Sequence, residues 1–336
     1  MEFLIRQTVI YTVPLLIVAL AGVFAERSGV VNLALEGIMI FGAFIGVLFI
    51  NISQSFDWFQ KENAQLLLIL TMAVSAILGA VFSLLLSFAA VTLKANQTIS
   101  GTSLNLLSPA LVLFFISIIT NQNVLSMTEG DAASWFMLKK SDFGFQAGDT
   151  LGFFSNTFLV KNYLSTYICI GIYIILSIIL YKTRFGLRLR SCGENPHASD
   201  SLGINVTKMR YIGVTVSGAL AGMGGFVFSL TTANASATGD VAGFGFLALA
   251  VMIFGNWNPV FIAAASFLFG LFKCIAAAYA TIDINGDGVF ALAELPFSTN
   301  LYRMLPYVIT LLVLAFTSKH SRAPKAEGIP YDKSKR

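Results

Sequence analysis

Nine apolar runs, near residues 8–25, 30–50, 65–93, 97–119, 163–181, 211–231, 243–255, 259–280 and 302–318, set the terms on which this chain folds. Crossing a bilayer core of about 30 Å takes roughly 17 to 25 largely apolar residues as helix. All of the runs but the seventh reach that length. In lipid each backbone polar group has to be bonded internally, which leaves helices as the form open to such runs. Charge agrees, since only 11% of residues are charged where a soluble domain carries about 25%. The expected fold is all-α, a polytopic membrane helix bundle of about nine spans over residues 1–318, followed by a basic tail, 319–336. The short seventh run starts at Gly243 and Gly245 and ends at Gly255-Asn-Trp-Asn-Pro259. It predicts a broken helix, which a membrane tolerates where protein or an aqueous cavity satisfies the backbone.

The first run is read as a span and not as a cleaved leader. Its preceding residues, with Glu2 against Arg6, are not basic in balance, and eight comparable runs follow. Lys and Arg then set orientation. Fourteen of the 21 fall on the side that holds the 182–210 loop and the carboxyl terminus, six on the other, and Lys273 lies inside a span. That places the carboxyl terminus and 182–210 in the cytoplasm, and the amino terminus and the loops 120–162 and 281–301 outside. With the +4 net charge sorted by side and no long basic run, nucleic acid is no partner. Membrane lipid is. Cys169, Cys192 and Cys274 have no disulfide or zinc spacing and read as packing residues.

The external loop 281–301 contains Asp283-Ile-Asn-Gly-Asp-Gly-Val-Phe-Ala-Leu-Ala-Glu294, which fits the EF-hand pattern. Asp283, Asn285, Asp287 and Glu294 are its candidate Ca²⁺ ligands, with Gly288 at the turn. The same residues also read as an Asx- and Gly-rich turn with solvated carboxylates. Pro296 would disturb an exiting helix. A cytoplasmic sensor is excluded by the loop's side; a structural calcium clip is not.

The 182–210 loop carries a different device. Asn195 is a natural N-cap, Pro196 suits the first helical position, and Gly203 is placed to end the helix. About two turns of helix are marginal alone, so this one is expected to dock. A capped helix on the lipid surface is the alternative.

Several stretches together resemble a known family: Glu26-Arg-Ser-Gly-Val-Val-Asn-Leu-Ala-Leu-Glu-Gly37, Phe185-Gly-Leu-Arg-Leu-Arg190 with Gly193-Glu-Asn-Pro196 and Gly203-Ile-Asn-Val206, Ser217-Gly-Ala-Leu-Ala-Gly222, Gly255-Asn-Trp-Asn-Pro259 and Met304-Leu-Pro-Tyr307. They look like the permease subunits of ATP-binding-cassette importers for nucleosides and simple sugars. The resemblance implies that Gly193, Glu194, Asn195, Pro196 and Gly203 belong to a coupling helix that inserts into the ATPase subunit. It also implies an ATP-binding subunit, a second permease subunit and an external substrate-binding protein as partners, this chain being the shorter permease of a heterodimeric pair. Relatives often have Gly-Arg-Gly where this chain has Gly243-Phe244-Gly245, so no role for a charge there carries over. Independently, no G-x-x-x-x-G-K-[ST] loop occurs, so a pump built on this chain takes its energy from a partner. No cofactor is expected beyond the possible structural Ca²⁺.

Ionisable residues inside spans are costly and are functional candidates by default. Glu36 in the second run and Asn32, four residues before it, would share one helix face and could meet a polar solute. They could equally bond facing backbone and brace a broken helix. Thr98, Thr102 and Asn105 recur at helical spacing and could line an aqueous path. Lys273 is read as reaching for the outer interface, and Ser217, Gly218, Ala221, Gly222 and Gly225 as a close-packing stripe. The 30 Phe are mostly core or lipid-facing, and the 120–162 segment either meets a binding protein or caps the bundle. The reading is a transport subunit importing a nucleoside-like solute, with riboflavin or a simple sugar as alternatives. An intramembrane enzyme lacks a constellation, since His197 and His320 are both cytoplasmic. A calcium-regulated channel or secondary transporter rests on 283–294 alone.

Overall fold

A computed structural model describes residues 2–54, 56, 63–127, 133–140, 144, 152–153, 155–279, 298–317 and 322–333. The helices are α1 (Glu2–Arg27), α2 (Leu35–Ser53), α3 (Ala64–Ser87), α4 (Gln97–Thr120), α5 (Ala133–Phe136), α6 (Leu164–Lys182), α7 (Arg184–Glu194), α8 (Pro196–Ser201), α9 (Val206–Thr231), α10 (Phe244–Phe254), α11 (Pro259–Ala278) and α12 (Thr299–Thr317). Each of the nine apolar runs falls on a helix of this all-α bundle. Seven helices among the described residues are long and apolar enough to cross a membrane: α1, α2, α3 with its π-helical extension to Thr92, α4, α6, α9 and α11. The seventh run becomes α10, whose 11 residues reach roughly 17 Å. That is about half a bilayer core, as its flanking glycines led us to expect.

Burial sorts the helices into an inside and an outside. The most apolar stretch of α1 is 89% buried and that of α9 is 78% buried, against 22% for α4 and 28% for α6. The inner helices meet through glycine. A Cβ built on Gly79 would lie 2.6 Å from the Gly218 carbonyl oxygen, and one on Gly222 2.5 Å from that of Ser75. On Gly42 it would run into the Gly222 carbonyl. The small-residue stripe of α9 therefore packs helices, as its spacing indicated.

Two expectations need correction. The second run was read as helical from residue 30, but the chain leaves α1 at Arg27 and α2 starts only at Leu35. Asn32 thus precedes the helix and shares no helical face with Glu36. Its side-chain oxygen takes the Ala34 N–H at 3.0 Å, a local bond that competes with helix, and Gly29 at φ +95° turns the chain before it. The 182–210 loop holds not one short helix but two, because Thr183 caps a preceding amphipathic helix, α7.

The described parts of 120–162 cap the bundle. Leu125–Ser126 pairs antiparallel with Ser236–Ala237, the Leu138 N–H donates to the Asn162 carbonyl at 2.8 Å, and Met127 and Phe136 are fully buried. Asp283, Asn285, Asp287 and Glu294 lie outside the described residues.

Candidate functional site

A break in a membrane helix exposes backbone groups, and their partners locate the site. Around residues 30–37 those partners come from α4: Gln97 Oε1 accepts the Val31 N–H at 2.7 Å, and Asn105 accepts the Gly37 N–H at 2.8 Å while donating to the Leu33 carbonyl at 2.6 Å. Ser108 donates to the Gly37 carbonyl at 2.6 Å. Asn32 is fully buried and donates to Ser217 Oγ of α9 at 2.9 Å.

Glu36 closes the second break. Its Oε1 accepts the Gly243 N–H at 3.0 Å, and its Oε2 accepts those of Gly245 at 2.6 Å and Phe246 at 3.2 Å. These are orphan donors of the α10 N-terminus, where the helix dipole also favours an anion. Gly245 permits the approach, since a Cβ there would sit 2.5 Å from Glu36 Cα. The sequence candidates Asn32, Glu36 and Asn105 are thus drawn into one region, where each bonds groups of the broken segments. For Asn32 and Glu36 this matches the bracing alternative; for Asn105, read from the sequence only as lining a path, it is a contact the sequence reading did not anticipate. Thr98 and Thr102 are not part of it: both are exposed, and Thr102 bonds the Thr98 carbonyl of its own helix at 2.9 Å.

A cavity of ≈ 620 Å³ opens beside the start of α10, lined by Tyr11, Phe228, Asp240, Phe244, Lys273 and Tyr307 among others. Lys273 lines it: Nζ donates to the Ala242 carbonyl at 2.9 Å and to Tyr307 Oη at 3.4 Å. The ammonium also stands 4.8 Å over the Phe244 ring. A cation over a ring face is held by the ring quadrupole. Phe244 itself is buried against Phe228, with centroids 4.7 Å apart. The sequence reading missed Asp240, Tyr11 and Tyr307; an acidic residue three before the Gly243 break was the available signal.

At the opposite end of α9 lies the 182–210 loop. Asn195 Oδ1 accepts the Ala198 N–H at 3.0 Å, Pro196 holds the first position of α8, and Gly203 has φ +80° just past its end. Gly193 packs on α1 so closely that a Cβ would be 2.5 Å from the Arg27 carbonyl oxygen. Glu194, half-exposed, pairs with Arg27 at 3.4 Å, a contact worth at most about 1 kcal/mol in such a setting. Burial pushes the Cys192 thiol up, consistent with a packing role. Leu187 (61%) and Leu202 (82%) stand exposed on the same loop. Apolar side chains so placed suit a protein partner.

Among the described residues no group of His, Cys, Asp or Glu is arranged to hold a metal ion. Residues 4–314 match the family described as branched-chain amino acid transport system / permease component. The nucleoside ABC transporter permease protein NupC of Lactococcus lactis is 37% identical over 335 residues, covering 100% of this chain and 98% of that one. The guanosine ABC transporter permease protein NupQ of Bacillus subtilis is 36% identical, again over 100% and 98%. The nucleoside permease protein NupB of L. lactis is 25% identical over 77% of this chain and 68% of its own. No solved structure matches. With nearly all of its helical bundle inside the family match, the chain belongs to the ABC importer permease family, as a multi-pass transport subunit of the cytoplasmic membrane.

Proposed function

We propose that the chain is one permease of a heterodimeric importer that moves nucleosides inward on ATP hydrolysed by a partner. The observation that carries this is the end-to-end relationship to two proteins named as nucleoside and guanosine permeases. That NupC and NupB of one organism both resemble this chain supports pairing with a second, different permease. The external binding protein delivers solute, and the ATPase presses on Gly193, Glu194, Asn195, Pro196 and Gly203. The cavity of Tyr11, Asp240, Lys273 and Tyr307, beside half-helix α10, is the station on the path, a placement common to transporters with interrupted helices. About nine spans, counting half-helix α10 together with the non-helical chain beside it as one of them, put the amino terminus outside and the carboxyl terminus inside. In support, Arg27 at the last turn of α1 meets Glu194 of the coupling loop, so the other end of that 26-residue helix points away from the ATPase side.

The test is uptake of labelled guanosine and uridine in cells with and without this chain. We expect ATP-dependent uptake that unlabelled nucleosides compete and that riboflavin, ribose and galactose do not. Uptake persisting after ATP depletion would favour a channel or secondary transporter instead. Calcium at 283–294 is a separate proposal, a clip on the external loop. A rise in thermal midpoint with excess Ca²⁺ over chelator, lost in Asp283→Asn/Glu294→Gln, supports it; no rise assigns the loop to a plain turn.

A further inference from the structure

Ala242, at φ +50° in the turn that leads into α10, has its two backbone groups held by side chains of opposite charge. Asp240 Oδ1 accepts its N–H at 3.0 Å, and Lys273 Nζ donates to its carbonyl at 2.9 Å. Standard backbone dimensions keep a carboxylate and an ammonium fixed to one residue in this way within about 10 Å of each other. Among the described residues the two nevertheless form no ion pair, and both line the ≈ 620 Å³ cavity. A solute seated between them is drawn to both.

Each charge has bonding capacity to spare. Asp240 is exposed, and among the described residues its Oδ2 accepts no hydrogen bond, whereas an ionised carboxylate offers about four lone-pair sites. The Lys273 ammonium has three protons, of which two go to the Ala242 carbonyl and Tyr307 Oη. Ionisable groups inside a membrane bundle are costly to hold and mark the path of a solute. Tyr307, 50% exposed, and Tyr11 bring aromatic rings to the same cavity, and a ring face accepts a stacked base. The volume lies inside the range of small-molecule sites, about 300 to 1,000 Å³.

We propose that Asp240 and Lys273 read the base of the imported nucleoside and favour guanine. This rests on the reading of the cavity as a station for nucleosides given above. Guanine carries two parallel donors on one edge, N1–H and N2–H, which match the two oxygens of a carboxylate. Its neighbouring O6 and N7 are acceptors that an ammonium meets, as lysine does in the major groove of DNA. A carboxylate on N1 and N2 and an ammonium on O6 then stand side by side without touching, the arrangement found here. Adenine offers a single donor group, N6–H₂, and uracil a single N3–H, so neither presents the parallel pair. With one cation and one anion the site is neutral overall, as suits an uncharged nucleoside.

The test uses the purified permease with its partner permease and ATPase in lipid nanodiscs. The external binding protein is left out, because its own selectivity would mask that of the cavity. Equilibrium binding of labelled guanosine, adenosine, uridine and xanthosine is measured for the wild type and for Asp240→Asn. The wild type should bind guanosine about tenfold or more tighter than adenosine or uridine, the discrimination that one bidentate contact supports. Asp240→Asn keeps an acceptor for the Ala242 N–H but makes the other arm a donor. It should lose affinity for guanosine by about tenfold or more. It should also bind xanthosine, whose O2 replaces the 2-amino group of guanine, more tightly than guanosine. Such a reversal cannot come from misfolding. Equal affinity of the wild type for guanosine, adenosine and uridine, or an unchanged order in Asp240→Asn, overturns the assignment. Binding of none of them by a complex that imports guanosine once the binding protein is added also overturns it, and leaves the nucleoside reading intact. A complete transporter that imports no nucleoside strikes both.

Discussion

Glu36, 7% exposed, accepts three backbone N–H groups at the start of α10. Each donor left unpaired there costs about 1 to 3 kcal/mol. Glu36→Leu strands all three and should lower stability by about 3 kcal/mol or more, whereas Glu36→Gln keeps one acceptor oxygen and should lose less. Denaturation of the purified permease ranks the two; equal losses would mean that the charge itself, facing the α10 dipole, carries the effect. Gly245 is the other half of the contact. Because the clash of a new Cβ is with Glu36 backbone, Gly245→Ala should displace α10 and abolish uptake.

At the scale of elements, α8 tests whether a six-residue helix can transmit force. Its register depends on the Asn195 cap and on Pro196, and losing the cap costs about 1 kcal/mol. Asn195→Ala with Pro196→Gly should leave membrane insertion intact while raising the ATP hydrolysed per solute; Asn195→Asp, which keeps an acceptor, should couple normally. Normal transport by the double variant would sink the coupling role. These ends were legible in the sequence because caps are local: Asn195, Pro196 and Gly203 announce themselves within one loop. Half-helix α10 was legible for the same reason, through its flanking glycines. Asn32 was misread because an apolar run does not record where hydrogen bonding turns local. The Lys273 cavity and the contact of the carboxyl-terminal segment with the coupling loop were not legible. They join residues such as Gly193 and Ala326, or Tyr11 and Tyr307, that only the packed bundle brings together.

The whole molecule is organised around α9, which crosses α2 and α3 at backbone contact, while α4 and α6 present most of their apolar surface outward. Bilayer lipid is as apolar as a leucine side chain, so burial supplies no hydrophobic drive between spans and close packing has to supply the attraction. That makes glycine position decisive, in a way that differs between inner and outer helices. At Gly222 a Cβ would meet the Ser75 carbonyl oxygen at 2.5 Å and Gly79 Cα at 2.8 Å, both backbone atoms that can yield only if helices separate. At Gly171 of α6 a Cβ would meet nothing within 4 Å. Removing a helical glycine is otherwise favourable by roughly 0.5 to 1 kcal/mol. Gly171→Ala should therefore hold or raise the thermal midpoint in detergent, and Gly222→Ala should lower it sharply or prevent recovery of folded protein. If the two variants melt together, α9 is not the axis on which the bundle is packed.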